Sequence, residues 1–331
     1  MVPLFPLVVA ALIGSYHGSS PIKMNGWLVF DEEGTSLQSF RDHAGMLESV
    51  SVDWIKCNPQ GMVLRQSHPT SGERTEILQI AKKNGVKVYA LVANEGFQPK
   101  NVEAAMISAD TMKAHAEALV KIATEDGIDG IDLDYESLLA KDRDSFTKLV
   151  QIIAEACHAK HLQFVMAVHA KESEPGTWDG AQAQDFAALG KVADRIRVMT
   201  YDNHWESSDA GPIAPPDWVN RVMTFAASVV PPAKLDLGIP AYGYDWLGKK
   251  ADSFGWDGWT ERVKNHGPGK RDSLSHELTL TYDGRTAFFA DGEASRPKFE
   301  IARRLGLNGL AMWRLGSEDP RFWKLYEQLS K

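Results

Sequence analysis

The sequence predicts an α/β fold: a closed (β/α)8 TIM barrel with a small β-rich insertion after its seventh strand. Three observations predict it. From residue 24 onward, short apolar runs alternate with longer amphipathic stretches, which implies a parallel sheet covered by helices. Eight such units in 331 residues imply closure into a barrel. The segment after the seventh run is too long for one helix and contains an alternating strand pair.

In chain order, residues 1–23 read as an apolar leader or N-terminal arm. The run at 3–13 is too short to span a bilayer as a helix. It has the length of a signal-peptide core and lacks the basic flank of one. An exported or envelope-associated location is expected, with no stable membrane span. Residues 24–331 form the barrel. Its predicted strands are Asn25–Phe30, Val52–Cys57, Val86–Val92, Gly130–Tyr135, Gln163–His169, Ile196–Tyr201, Leu235–Pro240 and Gly309–Trp313. Helical spacing marks Thr75–Asn84, Asp110–Glu125, Asp144–His158, Trp218–Val229 and Arg296–Leu305. The insertion covers about residues 245–295. It holds Trp246, Trp256 and Trp259, and a strand pair Glu277–Tyr282 and Thr286–Ala290 around Asp283-Gly284.

Composition narrows the function. Apolar residues make up 44% and charged residues 24%, which is ordinary globular usage. Forty-four acids against thirty-six bases give a net charge of -8, which argues against a nucleic-acid partner. Cys57 and Cys157 are too few for a four-cysteine zinc site or a disulfide framework. Two reduced, partly buried thiols are expected.

The most informative stretch is Asp126-Gly-Ile-Asp129-Gly-Ile-Asp132-Leu-Asp134-Tyr-Glu136. On a strand, alternate side chains face opposite ways. Ile131, Leu133 and Tyr135 should face the covering helices, and Asp132, Asp134 and Glu136 the lumen. Carboxylates two residues apart cannot all ionise freely, so some proton affinity must rise. Glu136 comes last, at the C-terminal end of its strand, where barrel active sites are built. A glutamate holding its proton there suits general acid catalysis. Two other readings of the acids are a divalent-cation site with Asp202 as an extra ligand and a solvated acidic loop. Neighbouring strands supply no matching ligand set for the first, and Ile131 and Leu133 fit a buried strand rather than the second. No metal or other cofactor is expected.

Asp129-x-x-Asp132-x-Asp134-x-Glu136 resembles the signature of family 18 glycoside hydrolases, the chitinase-like barrel enzymes. Met199-Thr-Tyr201-Asp202, Leu237-Gly-Ile-Pro-Ala-Tyr242-Gly-Tyr-Asp-Trp246 and Gly309-Leu-Ala-Met-Trp313-Arg-Leu-Gly resemble that family's sixth-, seventh- and eighth-strand elements, in the right order. The resemblance covers roughly residues 24–330. Gly211-Pro-Ile-Ala and the segment from Trp313 to Pro320 look most like bacterial branches, which include spore-cortex peptidoglycan hydrolases and glycosidase domains fused to deacetylases. Residues 24–331 are read as the barrel alone, with no wall-binding module or deacetylase expected among them, which leaves the choice of polymer open.

The resemblance implies a retaining hydrolase of β-1,4 bonds next to N-acetylglucosamine, in peptidoglycan, chitin or related oligosaccharides. The family is an exception to the scheme of two enzymic carboxylates, because the substrate assists. Glu136 would protonate the glycosidic oxygen. Asp134 would orient the acetamide that attacks the anomeric carbon, and Asp132 would share a proton with Asp134. The Tyr201 hydroxyl would hold the acetamide oxygen. Trp313 would floor the sugar at the cleavage point, and Tyr242 and Asp202 would contact it. Asn94 reaches the sugar or caps a loop. Trp246, Trp256 and Trp259 line the groove or glue the insertion. His169 and Glu172 belong to a type of position that is usually structural or solvated. A catalytically silent, lectin-like relative is the alternative, but such relatives usually lose the terminal acid, and Glu136 is present. The partner is thus an N-acetylated polysaccharide or oligosaccharide, bound by a monomer.

Overall fold

The computed structural model describes residues 21–30 and 34–330. Of the expected leader at 1–23, residues 1–20 lie outside the described residues, and Lys23 already belongs to the first strand. In chain order the strands are β1 (Lys23–Leu28), β2 (Ser49–Cys57), β3 (Val63–Arg65), β4 (Lys87–Asn94), β5 (Gly130–Asp134), β6 (Gln163–His169) and β7 (Arg195–Met199). There follow β8 (Leu235–Pro240), β9 (Gly243–Leu247), β10 (Lys250–Phe254), β11 (Lys270–Arg271), β12 (Leu278–Tyr282), β13 (Arg285–Phe289) and β14 (Gly309–Trp313). Eight of them pair in parallel in the order β1-β14-β8-β7-β6-β5-β4-β2, and β1 pairs with β2 to close the barrel. Short β3 adds antiparallel to the end of β2.

The helices follow their sequence signals, and their ends are fixed by caps that hydrophobic spacing does not reveal. Ser71–Asn84 starts four residues before the expected Thr75, at a reciprocal box in which Thr70 caps the Glu73 amide and Glu73 accepts from the Thr70 amide. Ala109–Asp126 starts in the same way at Ser108 and Thr111. Both end at a left-handed glycine, Gly85 and Gly127.

Two separate apolar sets divide the barrel wall. Ile131, Leu133 and Tyr135 belong to the large cluster between strands and helices. A small cluster of Trp27, Leu91, Ala167 and Ala311, with Met199 and Trp313 against it, fills the lumen. Cys57 and Cys157 are free and buried in the outer cluster, and burial pushes their thiols up to about 11 and about 12 respectively.

The segment after β8 folds into a five-stranded antiparallel sheet, β10-β9-β13-β12-β11, and also contains a helix, Trp256–His266. The β12–β13 hairpin turns at Asp283 and Gly284, both with positive φ, as a tight two-residue turn requires. No helix among the described residues is long and apolar enough to cross a membrane.

Candidate active site

The site is built at the C-terminal ends of the barrel strands. β5 places Asp132 and Asp134 on its lumen face, while Tyr135 turns outward and donates its hydroxyl to His115 Nε2 at 2.7 Å. The ladder ends at Asp134, so Tyr135 and Glu136 lie just beyond it. Asn94, at the end of β4, holds this extension. Its Oδ1 accepts the Glu136 amide at 2.9 Å, and its Nδ2 donates to the Glu136 carbonyl at 3.0 Å and the Gln98 carbonyl at 3.1 Å. Asn94 is buried and its amide is fully used by backbone. Of its two expected roles, it fixes the loop that carries Glu136.

The floor of the lumen is a charge cluster. Arg197, two residues before Met199 on β7, is 1% exposed. Its Nη1 donates to Asp132 Oδ2 at 2.6 Å and to Ser51 Oγ at 2.5 Å, and its Nη2 donates to Ser49 Oγ at 2.8 Å. Trp27 Nε1 donates to the same Asp132 oxygen at 3.1 Å. Asp236 on β8 lies 3.8 Å from Arg197 Nε. The guanidinium also packs over the Trp27 and Tyr89 rings. The sequence reading overlooked Arg197, although the two-residue period from Met199 places it inside the barrel.

Asp132 Oδ2 is thus committed to Arg197 and Trp27 in charge-assisted contact, while its Oδ1 and the Oδ1 of Asp134 are both buried without a hydrogen-bond partner. Asp134 binds its proton far more tightly than an ordinary aspartic acid. Burial is the main cause, followed by the charges of Glu136 and Asp132.

Glu136 stands at the mouth with its side chain a quarter exposed. Burial, and then the carboxylate of Asp202, raise its pKa from the usual carboxyl range to about 7. Beyond β7, Tyr201 is 9% exposed, and burial together with the surrounding carboxylates keeps its hydroxyl protonated. Asp202 adopts a positive φ and accepts from the hydroxyls of Tyr242 and Tyr244. Tyr242 meets Tyr201 edge-on with centroids 6.2 Å apart. Trp313, at the end of β14, is partly exposed and meets Trp27 edge-on at 5.8 Å. These side chains all lie at or just beyond the C-terminal ends of the barrel strands, at its mouth.

The structure does not bring Trp246 to that opening. It is 1% exposed, and its indole N–H is spent on the Trp205 carbonyl at 3.1 Å. Trp246 is therefore packing, and no face is left for a sugar. Trp256 and Trp259 likewise pack with Leu280 and Phe289 in the core of the insertion. Glu172 is engaged by Arg221 on the exposed surface at 2.7 Å. Among the described residues, no group of three or more His, Cys, Asp or Glu side chains is placed to hold a metal ion.

The chain as a whole is similar to known proteins. The pattern of Glycosyl hydrolases family 18 matches residues 30–319. The chain is 26% identical over 310 residues to the uncharacterized glycosylase YvbX of Bacillus subtilis, covering 89% of this chain and 88% of that protein. It is 21% identical over 229 residues to the cortical fragment-lytic enzyme of Bacillus anthracis, covering 62% of this chain and 51% of that longer protein. The crystal structure of a chitinase from Chromobacterium violaceum superposes with a TM-score of 0.85 at 25% identity, over 93% of this chain and 98% of that one. The chain belongs to glycosyl hydrolase family 18 and is a glycoside hydrolase.

Proposed function

We propose that this protein hydrolyses β-1,4 bonds next to N-acetylglucosamine with retention of anomeric configuration, the substrate's own acetamide acting as nucleophile. One observation carries the reading. A mouth-facing glutamic acid that keeps its proton to about pH 7 stands two residues beyond a buried aspartate whose Oδ1 has no partner. Glu136 gives its proton to the glycosidic oxygen as the bond to the anomeric carbon breaks. The acetamide carbonyl oxygen forms the new bond to that carbon, giving an oxazolinium ion. The vacant Oδ1 of Asp134 accepts the acetamide N–H, and Tyr201 donates to the acetamide oxygen. Trp313 lies under the sugar, and Tyr242 and Asp202 contact it. Glu136, now a carboxylate, takes a proton from water as that water opens the ring.

The relatives named above include a cortical fragment-lytic enzyme and a chitinase, so peptidoglycan glycan strands and chitin are the substrate classes proposed. Both polymers lie outside the cytoplasm of a bacterial cell, and we take the protein to be exported and to act as a monomer.

The test is product analysis on chitooligosaccharides and, separately, on muropeptide-bearing glycan strands. N-acetylated substrates should be cut to products that are first released in the β configuration. Fully deacetylated chains should be inert, and efficient cleavage of them would exclude the acetamide as nucleophile. Glu136→Gln should lower kcat by about 10²–10⁴-fold while leaving oligosaccharide binding in place. Retention of most activity would overturn the assignment of the acid.

A further inference from the structure

His169 ends β6, the neighbour of β5. Leu133 pairs with Met166, and this register carried three residues on sets His169 beside Glu136. Its Nδ1 lies 3.8 Å from Glu136 Oε2. Its other ring nitrogen, Nε2, is buried with no partner. The ring is fixed on its far side by Trp178, with centroids 4.5 Å apart. Gly180 makes that contact feasible, because a Cβ there would fall 2.3 Å from the Trp178 ring and 3.1 Å from His169 Cδ2. The His169 amide is held in turn by Gln184 Oε1 at 2.7 Å.

Burial, and then the charge of Lys171, depress the basicity of the imidazole to about 4, so the ring is neutral at working pH. A neutral imidazole has one N–H and one bare nitrogen. A buried orphan N–H is rarer than a buried orphan acceptor, and Nδ1 faces a carboxyl group. The proton therefore belongs on Nδ1.

The other groups around Glu136 do not supply this donor. Asp134 on its own strand and Asp202 beyond β7 are carboxylic, and Tyr201 beyond β7 has its hydroxyl among the same carboxyl groups. Lys171, two residues past His169, is buried and donates to the carbonyls of Ala181 and Gln184, with Glu174 3.0 Å away. Asn94 holds the Glu136 backbone, not its carboxyl. No described residue donates a hydrogen bond to that carboxyl.

We propose that His169 is a positioning residue for the acid, its Nδ1–H steadying the Glu136 carboxylate once the proton has passed to the glycosidic oxygen. A closure of about 1 Å converts the present gap into an ordinary N–H···O bond. Such contacts are commonly long in the resting enzyme and tighten with substrate bound. The proposal rests on the reading of Glu136 as acid and base given above.

Three variants test it. His169→Leu removes the donor. His169→Asn puts an amide nitrogen where Nδ1 was, whereas His169→Gln reaches only the Nε2 position. Two readouts are needed: the pH dependence of kcat and kcat/KM on an aryl glycoside of an N-acetylated chitooligosaccharide, and the carbon-13 titration of the Glu136 carboxyl in the resting protein, assigned with Glu136→Gln. In His169→Leu the titration midpoint and the alkaline limb should both rise by about half a unit or more. There kcat at pH 7 should fall about tenfold, with KM within about threefold. His169→Asn should restore both readouts, and His169→Gln should not. A merely structural role would lower kcat without moving the midpoint. An unmoved midpoint in His169→Leu, or equal rescue by Asn and Gln, overturns the proposal. If His169→Leu does not fold, the Asn–Gln contrast decides. If the intact protein cleaves no N-acetylated glycan, the proposed function fails, and the titration still judges His169 independently.

Discussion

At the residue scale, the lumen is organised by a buried ion pair. Arg197 and Asp132 are 1% and 0% exposed at the side chain, so each would be an uncompensated charge without the other. Removing one partner of such a pair typically costs about 3–5 kcal/mol. Arg197→Met should therefore lose stability of that order in denaturant unfolding. Arg197→Met combined with Asp132→Asn should recover a large part of it, because the stranded charge is gone. A double variant no more stable than Arg197→Met alone would show that packing of the guanidinium over Trp27 and Tyr89 matters more than its charge. Asp134 depends on a different balance. Its contact to the acetamide is proposed to strengthen as positive charge develops, so Asp134→Asn should lower kcat far more than it weakens binding. Equal effects on both would remove that role.

At the element scale, β5 must lie close enough to β6 for the carboxylates to reach the lumen. Gly130 opens β5, and a Cβ there would sit 2.0 Å from the Gln163 carbonyl oxygen on β6. Gly130→Ala should force the strands apart. A loss of about 2 kcal/mol or more and a fall in kcat are expected from thermal unfolding and steady-state kinetics. Gly72→Ala in the helix Ser71–Asn84 meets nothing within 4 Å and should be neutral or slightly stabilising. If the two behave alike, strand spacing is not what Gly130 protects.

The same elements show what the sequence made legible. β8 and β14 fall where alternation and neighbouring turn residues set them, at Leu235–Pro240 and Gly309–Trp313. Asp132 and Asp134 were readable because the two-residue period of β5 fixes both, whereas Glu136 lies just beyond the strand on an extension that Asn94 holds. Helix starts at Thr70 and Ser108 were less visible, since capping is a polar contact and leaves no hydrophobic stripe. The helix Trp256–His266 was hidden because its Trp residues suggested sheet or groove and only Trp259 is buried along it. Asn94, Trp246 and His169 were the hardest to place. Asn94 and His169 sit at strand ends and Trp246 inside the sheet of the insertion, where the surroundings of a side chain depend on residues far away in sequence.

At the scale of the whole molecule, the site is stored instability. A carboxyl group raised on folding binds its proton more tightly in the native state than in the unfolded chain. Its contribution is therefore complete below the unfolded value, about 4.3 for glutamate. It is lost as pH rises through the native value, which for Glu136 is about 7. Asp134 is shifted in the same direction by burial and by its acidic neighbours. Ionising this pair above neutrality thus works against the fold, in a protein whose net charge is already -8. Glu136→Gln removes one of the two groups and keeps the shape. It should be more stable than the intact protein at pH 8, by about 1–3 kcal/mol. Near pH 3, where this carboxyl group is protonated in both the native and the unfolded chain, the gain should vanish. Thermal or urea unfolding of the two proteins across this range gives the difference directly. A gain independent of pH would mean that Glu136 ionises in the native state as freely as it does unfolded, and that the acid of this site is not held back by its burial.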